Sequence, residues 1–312
     1  MNGQLRIFSG TANADLTREI CAEIGCPLGD CTISRFSDGE LRIKINENIR
    51  GADVFMVQPT FAPADHLMEL LILIDAARRA SARRITAVVP YFGYSRQERK
   101  DQPRVPISAK LVANLITTAG AGRVLTLDLH AEAIQGFFDI PVDHLYSGPV
   151  LFKHFNQMGT ENFTVVAPDT GGANRARAFA KRLGDIPLAF IDKRRPGVNR
   201  VEIMNVIGDV QGRHCLIVDD IMDTARTITE VAAVLKAKGA EDLYACASHA
   251  VLSGNAIENI KASPLKEVVV TNTIPLPPAK RIDKIRVLSI AKLLGEAITR
   301  IHKEESVSSL FQ

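Results

Sequence analysis

Short apolar runs alternate along the chain with segments in which apolar residues recur every third or fourth position. The runs predict strands over residues 5–8, 41–45, 54–58, 85–91 and 124–129, then over 164–167, 188–191, 214–218, 243–247 and 267–271. The longer spacing predicts helices over 15–24, 67–80, 108–118, 150–157, 174–183 and 227–238. Strands that are apolar throughout, each followed by a helix, are the pattern of parallel sheets covered on both faces. The fold class is therefore α/β, with two domains, each a mainly parallel sheet flanked by helices. The break Tyr146-Ser147-Gly148-Pro149 divides them, giving domains over 1–146 and 147–289. Residues 290–312 form a C-terminal helix and tail expected to pack back on the first domain.

The helix over 67–80 starts apolar on almost every side, with Leu67, Met68, Leu70, Leu71, Ile72, Leu73 and Ile74. One sheet cannot cover all of those faces. Such a helix is either central or shared with another copy of the chain, so a homo-oligomer is expected.

Composition changes this picture little. The 312 residues suit two domains, and 46% hydrophobic with 23% charged residues is the balance of a folded globular chain. A formal charge of +3 with dispersed cations argues against a nucleic-acid partner. The N-terminal stretch lacks a basic segment followed by an apolar core, and the longest apolar run, 67–77, is interrupted by Glu69 and Asp75. No membrane partner and a cytoplasmic location are expected. Five cysteines without zinc-site spacing read as reduced, structural thiols.

Candidate chemistry gathers where strands end. In Cys215-Leu216-Ile217-Val218-Asp219-Asp220 the charge is read as stopping the strand, and Asp223, Thr224 and Thr227 form a polar turn before the next helix. The helix start offers N–H groups to a phosphate, while the carboxylates suit sugar hydroxyls or a ligand-borne metal. The plain alternative is a pair of aspartates capping a helix. In Phe36-Ser37-Asp38-Gly39-Glu40, two carboxylates flank a glycine turn beside an aromatic ring. It is either an ordinary turn or, near a purine, a stacking face with acceptors. Residues 90–100 (PYFGYSRQERK) follow a strand with aromatics, a glycine and cations, the makings of a nucleotide cleft. Asp128 and His130 end another strand and are candidates for ligand or metal contact. Asp169-Thr170-Gly171-Gly172 joins a strand to a helix, with glycine N–H groups for a phosphate and a carboxylate for magnesium, or simply an ordinary turn. Lys193 and Arg195, two apart in extended chain, share one side and suit a clamp on developing phosphate charge. Neither a GxxxxGK[ST] loop, nor GxGxxG after a strand, nor a kinase catalytic-loop set is present.

In order, FSDGE, INENIRG, PYFGYSRQERK, DLHAEAIQGFF, PDTGG, IDKRRP, GDVQG, VDDIMDT and SGNA resemble the ribose-phosphate diphosphokinases, also called phosphoribosyl pyrophosphate synthetases, of the phosphate-activated, magnesium-dependent class. The likeness runs over nearly the whole chain. It implies two phosphoribosyltransferase-like domains, with the ATP side in the first and the ribose 5-phosphate side in the second. The implied reaction transfers the diphosphoryl group of ATP to the 1-hydroxyl of ribose 5-phosphate and releases AMP. By the resemblance, Phe36, Asp38, Gly39, Glu40, Arg96 and Gln97 hold ATP, and His130 and Asp169 hold Mg2+. Lys193 and Arg195 are then catalytic. Arg195, Asp219, Asp220 and the loop Asp223, Thr224, Ala225, Arg226 and Thr227 hold ribose 5-phosphate. The family usually carries a small residue, often glycine, where this chain has Arg226. Members are commonly hexamers with phosphate and ADP as effectors, and Arg50, Arg104 and the tail 306–311 are similar to residues of that effector site. The alternatives are a non-catalytic regulatory paralogue and a phosphoribosyltransferase using the same sugar-phosphate loop.

Overall fold

The structure, a computed structural model, describes residues 3–194 and 203–311, without the side chains of Lys193, Arg194, Ile203, Met204 and Phe311. The chain divides into two units: 1–146 with 273–275 and 289–312, and 147–272 with 276–288.

The first unit opens with β1 (Leu5–Ser9) and α1 (Ala14–Ile24), then a hairpin of β2 (Cys31–Arg35) and β3 (Leu41–Ile45). It continues through β4 (Asp53–Val57), α2 (Asp65–Arg79), β5 (Arg84–Val89), α3 (Ser108–Ala119), β6 (Arg123–Leu127) and β7 (Val142–Leu145). The strands form a parallel sheet in the order β1-β4-β5-β6-β7, and the central β4 is buried at every position, as a strand covered on both faces must be. The hairpin stands apart from that sheet, with β2 antiparallel to β3. Its alternate residues Cys31, Ile33, Ile43 and Ile45 pack on the core beneath α2 and α3, while the others face out.

Helix α2 buries Leu67, Leu70, Leu73, Ile74 and Ala77, and leaves Met68 exposed. Its Glu69 is also buried, at 3% exposure, and accepts hydrogen bonds from Thr11 Oγ1 at 2.8 Å, from the Thr11 N–H and from Gln58 Nε2 at 2.8 Å. A carboxylate inside a core is tolerated only when its oxygens are satisfied in this way.

The second unit runs α4 (Gly148–Asn156), β8 (Phe163–Ala167), α5 (Ala173–Arg182), β9 (Leu188–Arg194), β10 (Ile203–Ile207), β11 (His214–Met222), α6 (Arg226–Ala237), β12 (Leu243–Ala250), α7 (Ala256–Ala262), β13 (Leu265–Thr271) and β14 (Ile285–Leu288). The sheet order is β10-β9-β8-β11-β12-β13-β14, parallel except for the edge strand β10, which runs against β9. The chain then returns to the first unit as α8 (Ala291–Lys303). There Leu294, Ala297, Ile298 and Ile301 pack with Leu16 and Ile20 of α1 over Ile7, Phe55, Val57 and Val88 of the sheet. Arg84 reinforces the join: its Nε donates to Asp53 at 2.8 Å, and its Nη2 donates to the Ile301 carbonyl at 2.9 Å.

One expectation is corrected. Asp219 and Asp220 do not end their strand; β11 continues through them, with Asp219 opposite Ala247, Ile221 opposite His249 and Met222 opposite Ala250. The reason lies next door. Strand β12 is eight residues long and buried throughout, so it offers ladder partners well past Val218. Strands β2, β7, β10 and β14, and helix α7, were not anticipated from the apolar pattern.

All five cysteines are free thiols. Burial pushes the Cys31 thiol up to about 11, and those of Cys21 and Cys215 up to about 12, which keeps them protonated and inert. Among the described residues no helix is long and apolar enough to cross a membrane.

Candidate active site

The end of β11 builds the most determined part. Asp220 is buried at 3% exposure, and Asp219 is partly buried beside it. The Asp220 N–H donates to Asp219 Oδ1 at 2.9 Å, and Arg175 of α5 places Nη1 3.1 Å from Asp220 Oδ1 and 3.5 Å from Asp219 Oδ1. Burial pushes the Asp219 carboxyl up to about 7, helped by the neighbouring Asp220 and opposed by the Arg175 cation.

The chain next makes a tight turn into α6. Ala225, the residue before the helix, has φ +56°, a left-handed conformation that a residue with a Cβ adopts at a cost. The turn is held from outside: Ser253 donates its hydroxyl to Asp223 Oδ1 and its N–H to the Asp223 carbonyl, and Asn259 Nδ2 donates to the Thr224 carbonyl at 3.0 Å. The first helical bond runs from the Thr229 N–H to the Ala225 carbonyl, so the N–H groups of the turn before it have no helical acceptor. Asp223, Thr224, Ala225, Arg226 and Thr227 thus surround a helix start able to receive an anion. Arg226 itself runs along α6, its Nε donating to Glu230 Oε1 at 2.6 Å, with the side chain 79% exposed.

On the adjoining strand β8, the turn before α5 carries Asp169. Its Oδ1 accepts the Gly172 N–H at 2.9 Å, which restrains the exposed carboxylate at the sheet end. Asp169, Asp219, Asp220 and the 223–227 turn therefore lie at the same end of two paired strands.

The other candidates belong to the first unit and are arranged differently. Phe36 to Glu40 form the tip of the β2–β3 hairpin, closed by hydrogen bonds from the Phe36 N–H to the Glu40 carbonyl and from the Gly39 N–H to the Phe36 carbonyl, both at 2.9 Å. Gly39 has φ +95°, which a side chain would resist. Phe36 is 50% exposed with the Arg42 guanidinium 5.6 Å over its ring, and Asp38 and Glu40 are exposed too. Arg96 and Gln97 are exposed in the turn after β5. That turn is anchored at Gly93, where a Cβ would stand 2.0 Å from the Thr60 carbonyl oxygen, and Gln97 Oε1 accepts from the Ser108 hydroxyl at 2.6 Å. His130 is exposed after β6. Just before it, Asp128 has φ +41° and the Leu129 N–H donates to His144 Nε2 at 2.8 Å. Lys193 lies near the end of β9 with its side chain outside the described residues, and Arg195 lies outside them altogether.

A hard cation held partly by substrate phosphates needs only one or two protein ligands and water. Asp169 in the second unit and His130 in the first are each exposed and each of a type that can supply one such ligand, and no group of three or more ligating side chains occurs among the described residues. Sequence reasoning missed Arg175. In Asn174-Arg175-Ala176-Arg177 it looks like any solvated helix cation, and only the folded chain brings it to the acidic pair.

Comparison with known proteins places the chain in a family. Residues 5–120 match the family described as the N-terminal domain of ribose phosphate pyrophosphokinase, and residues 196–312 match the phosphoribosyl synthetase-associated domain. The ribose-phosphate pyrophosphokinase of Synechococcus elongatus is 56% identical, covering 100% of this chain and 95% of its own length. That of Corynebacterium ammoniagenes is 55% identical, covering 100% and 98%. The crystal structure of phosphoribosylpyrophosphate synthetase from Mycobacterium smegmatis superposes with a TM-score of 0.92 at 40% identity, covering 96% of this chain and 99% of that one. With relatives this similar over the full length and a fold that superposes so closely, the chain belongs to the ribose-phosphate pyrophosphokinase family.

Proposed function

We propose that this chain transfers the diphosphoryl group of ATP to the 1-hydroxyl of ribose 5-phosphate, giving 5-phosphoribosyl 1-diphosphate and AMP for nucleotide biosynthesis. One observation carries the reading: a paired, half-neutralised set of carboxylates directly precedes a helix start opened by a left-handed residue. Acceptors for sugar hydroxyls and donors for a phosphate then stand side by side, as a phosphorylated sugar requires. Asp219 and Asp220 accept the ribose hydroxyls, and the N–H groups of the 223–227 turn take the 5-phosphate. Phe36 stacks on the purine; Asp38, Gly39 and Glu40 meet its polar edge or ribose, and Arg96 and Gln97 meet the nucleotide's polar atoms. His130 and Asp169 would hold Mg2+, which would supply neutralisation of the phosphate charge. Lys193 and Arg195 stabilise the charge that develops on the transferring group, with Arg195 also reaching the sugar phosphate. Such transfer needs positioning and charge neutralisation rather than a covalent nucleophile.

We further propose a cytoplasmic homo-oligomer, a hexamer by family likeness, with phosphate and ADP as effectors. The exposed Met68, Leu111 and Leu115 on two neighbouring helices support burial against another copy. Light scattering that finds only a monomer would defeat that part.

Incubation with ATP, ribose 5-phosphate and magnesium tests the activity. AMP released in step with a 1-diphosphorylated sugar is expected; ADP formation or no turnover overturns it. Lys193→Ala should lower turnover by about 100-fold or more, the loss typical of a missing electrostatic donor.

A further inference from the structure

We propose that Arg175 is a positioning residue for the sugar-phosphate half of the site: from the first turn of α5 its guanidinium holds the Asp219 and Asp220 carboxylates in the orientation that receives the ribose hydroxyls. The inference rests on the assignment of that pair to ribose 5-phosphate.

The geometry is specific. A single nitrogen, Nη1, lies 3.1 Å from Asp220 Oδ1 and 3.5 Å from Asp219 Oδ1, and the Asp220 N–H takes Asp219 Oδ1 at 2.9 Å. Oδ1 of Asp219 is thereby engaged from two sides, which restrains the carboxylate at the end of β11. Arg175 is itself only 26% exposed at its side chain, so its attraction for the pair is weakly screened.

Charge gives the second reason. Two adjacent carboxylates repel each other, and they also repel the anionic sugar phosphate that must enter beside them. With the guanidinium between them the trio carries one net negative charge if both carboxylates are ionised, so acceptors are retained with less penalty. The third reason is placement. Arg175 lies three residues past Gly172, whose N–H fixes Asp169, so α5 ties the candidate metal ligand of β8 to the candidate sugar acceptors of β11. A lysine retains the charge but presents it as a compact, strongly hydrated ammonium on a flexible stem rather than as a planar guanidinium.

The test uses the full chain with Arg175→Gln, Arg175→Lys and, as a control on the same helix, the exposed Arg177→Gln. Steady-state AMP release gives KM for each substrate, calorimetry gives the Kd of ribose 5-phosphate alone, and thermal melts report folding. Arg175→Gln should raise both the ribose 5-phosphate KM and Kd by about tenfold or more, a difference in binding free energy of about 1.4 kcal/mol, with the ATP KM within about threefold of the parent. Arg175→Lys should recover part of the loss, and Arg177→Gln should match the parent. An Arg175→Gln protein with unchanged ribose 5-phosphate KM and Kd overturns the inference. So does a set in which both substrates suffer alike, the melting temperature falls and lysine restores neither KM, because a purely structural tie predicts that pattern. A parent chain that releases no AMP overturns the functional reading itself, which separates the two failures.

Discussion

The candidate residues of the second unit and those of the first are built to opposite rules. At the end of β11, Asp220 and Ala225 are buried and the residues assigned to the sugar phosphate are mostly gripped by neighbours: Asp220 by Arg175, Asp223 by Ser253, the Thr224 carbonyl by Asn259. In the first unit, Phe36, Asp38, Glu40, Arg96 and Gln97 stand exposed on a hairpin tip and a turn. The first arrangement is preorganised, because its dipoles and charges are fixed before a ligand arrives. In the second, a nucleotide bound as proposed would have to supply the order, and its binding would carry the entropy of fixing exposed side chains. Substitutions of the held residues in the first arrangement should therefore affect stability and sugar binding together, whereas those in the second should affect nucleotide binding alone.

The sharpest challenge to this contrast comes from Glu69, a buried carboxylate in the first unit that lies outside the proposed nucleotide contacts. Glu69→Ala removes the acceptor of the Thr11 N–H, Thr11 Oγ1 and Gln58 Nε2. It should cost about 3 kcal/mol of stability, because buried donors lose their partner. Chemical denaturation should show the loss, while the ATP KM at a permissive temperature stays near the parent's. A large rise in the ATP KM without a stability loss would move Glu69 into the nucleotide site.

How much of this was legible beforehand follows the same division. Strands buried on both faces announce themselves as apolar runs, so β4, β5, β8, β12 and β13 were readable. Strands β2, β7 and β14 were not, since each is only four or five residues long and mixes polar with apolar side chains, and the largely apolar β10 was missed as a short antiparallel edge strand. The run through β11 was cut short at Asp219 because charge usually ends a buried strand, and here a long neighbour and an arginine from another element overrode the rule. The turn 223–227 was readable as a helix start, but its left-handed Ala225 was not, for nothing in alanine signals a positive φ. Glu69 left a faint signal, a single charge amid Leu-Met-Glu-Leu-Leu, whereas Arg175 left none.

Protonation offers a second way to sharpen the comparison. Asp219 is pushed from 3.8 to about 7 by burial and by Asp220, so between those values the folded chain holds a proton that the unfolded chain has released. Its contribution to stability consequently falls as pH rises through that window and levels off above about 7. Sugar binding should move the other way, since the ionised carboxylate is the better hydroxyl acceptor. Affinity for ribose 5-phosphate should weaken by up to about tenfold from pH 7 to 6, and Asp219→Asn should remove the protein's share of that slope. The substrate's own phosphate titrates near pH 6 and supplies the remainder. Calorimetry across pH on parent and variant checks it; identical slopes would show that Asp219 does not titrate against the sugar.

Phe36 tests the exposed half. Half its surface is already in water, so Phe36→Ala should change stability by less than about 0.5 kcal/mol. If the ring stacks on the purine, the ATP KM should nevertheless rise several-fold, the loss of about 1 kcal/mol that an aromatic contact is worth, with the ribose 5-phosphate KM unmoved. A parallel rise in both would mean that the hairpin tip supports the whole site rather than the base.

The smallest effect separates two readings of Arg226, the residue standing where the family usually has a small one. The guanidinium lies along α6 with its Nε on Glu230, a solvent-exposed pair four residues apart. Such a pair contributes only about 0.3–0.5 kcal/mol, so Arg226→Gly should barely move the stability beyond glycine's own helix penalty of up to about 1 kcal/mol. If the arginine also reaches the 5-phosphate, the glycine variant should raise the ribose 5-phosphate KM, and rising salt should weaken the parent more than the variant, because an exposed cation is screened. If only the N–H groups of the turn bind the phosphate, KM and its salt dependence should be the same in both proteins. The pairing with Glu230 favours the second outcome: the ion pair draws the charge along the helix, while the held, left-handed turn at Ala225 presents its backbone donors whatever side chain follows. An unchanged KM would then mean that a bulky cation is tolerated at this position because the phosphate is recognised by main chain alone.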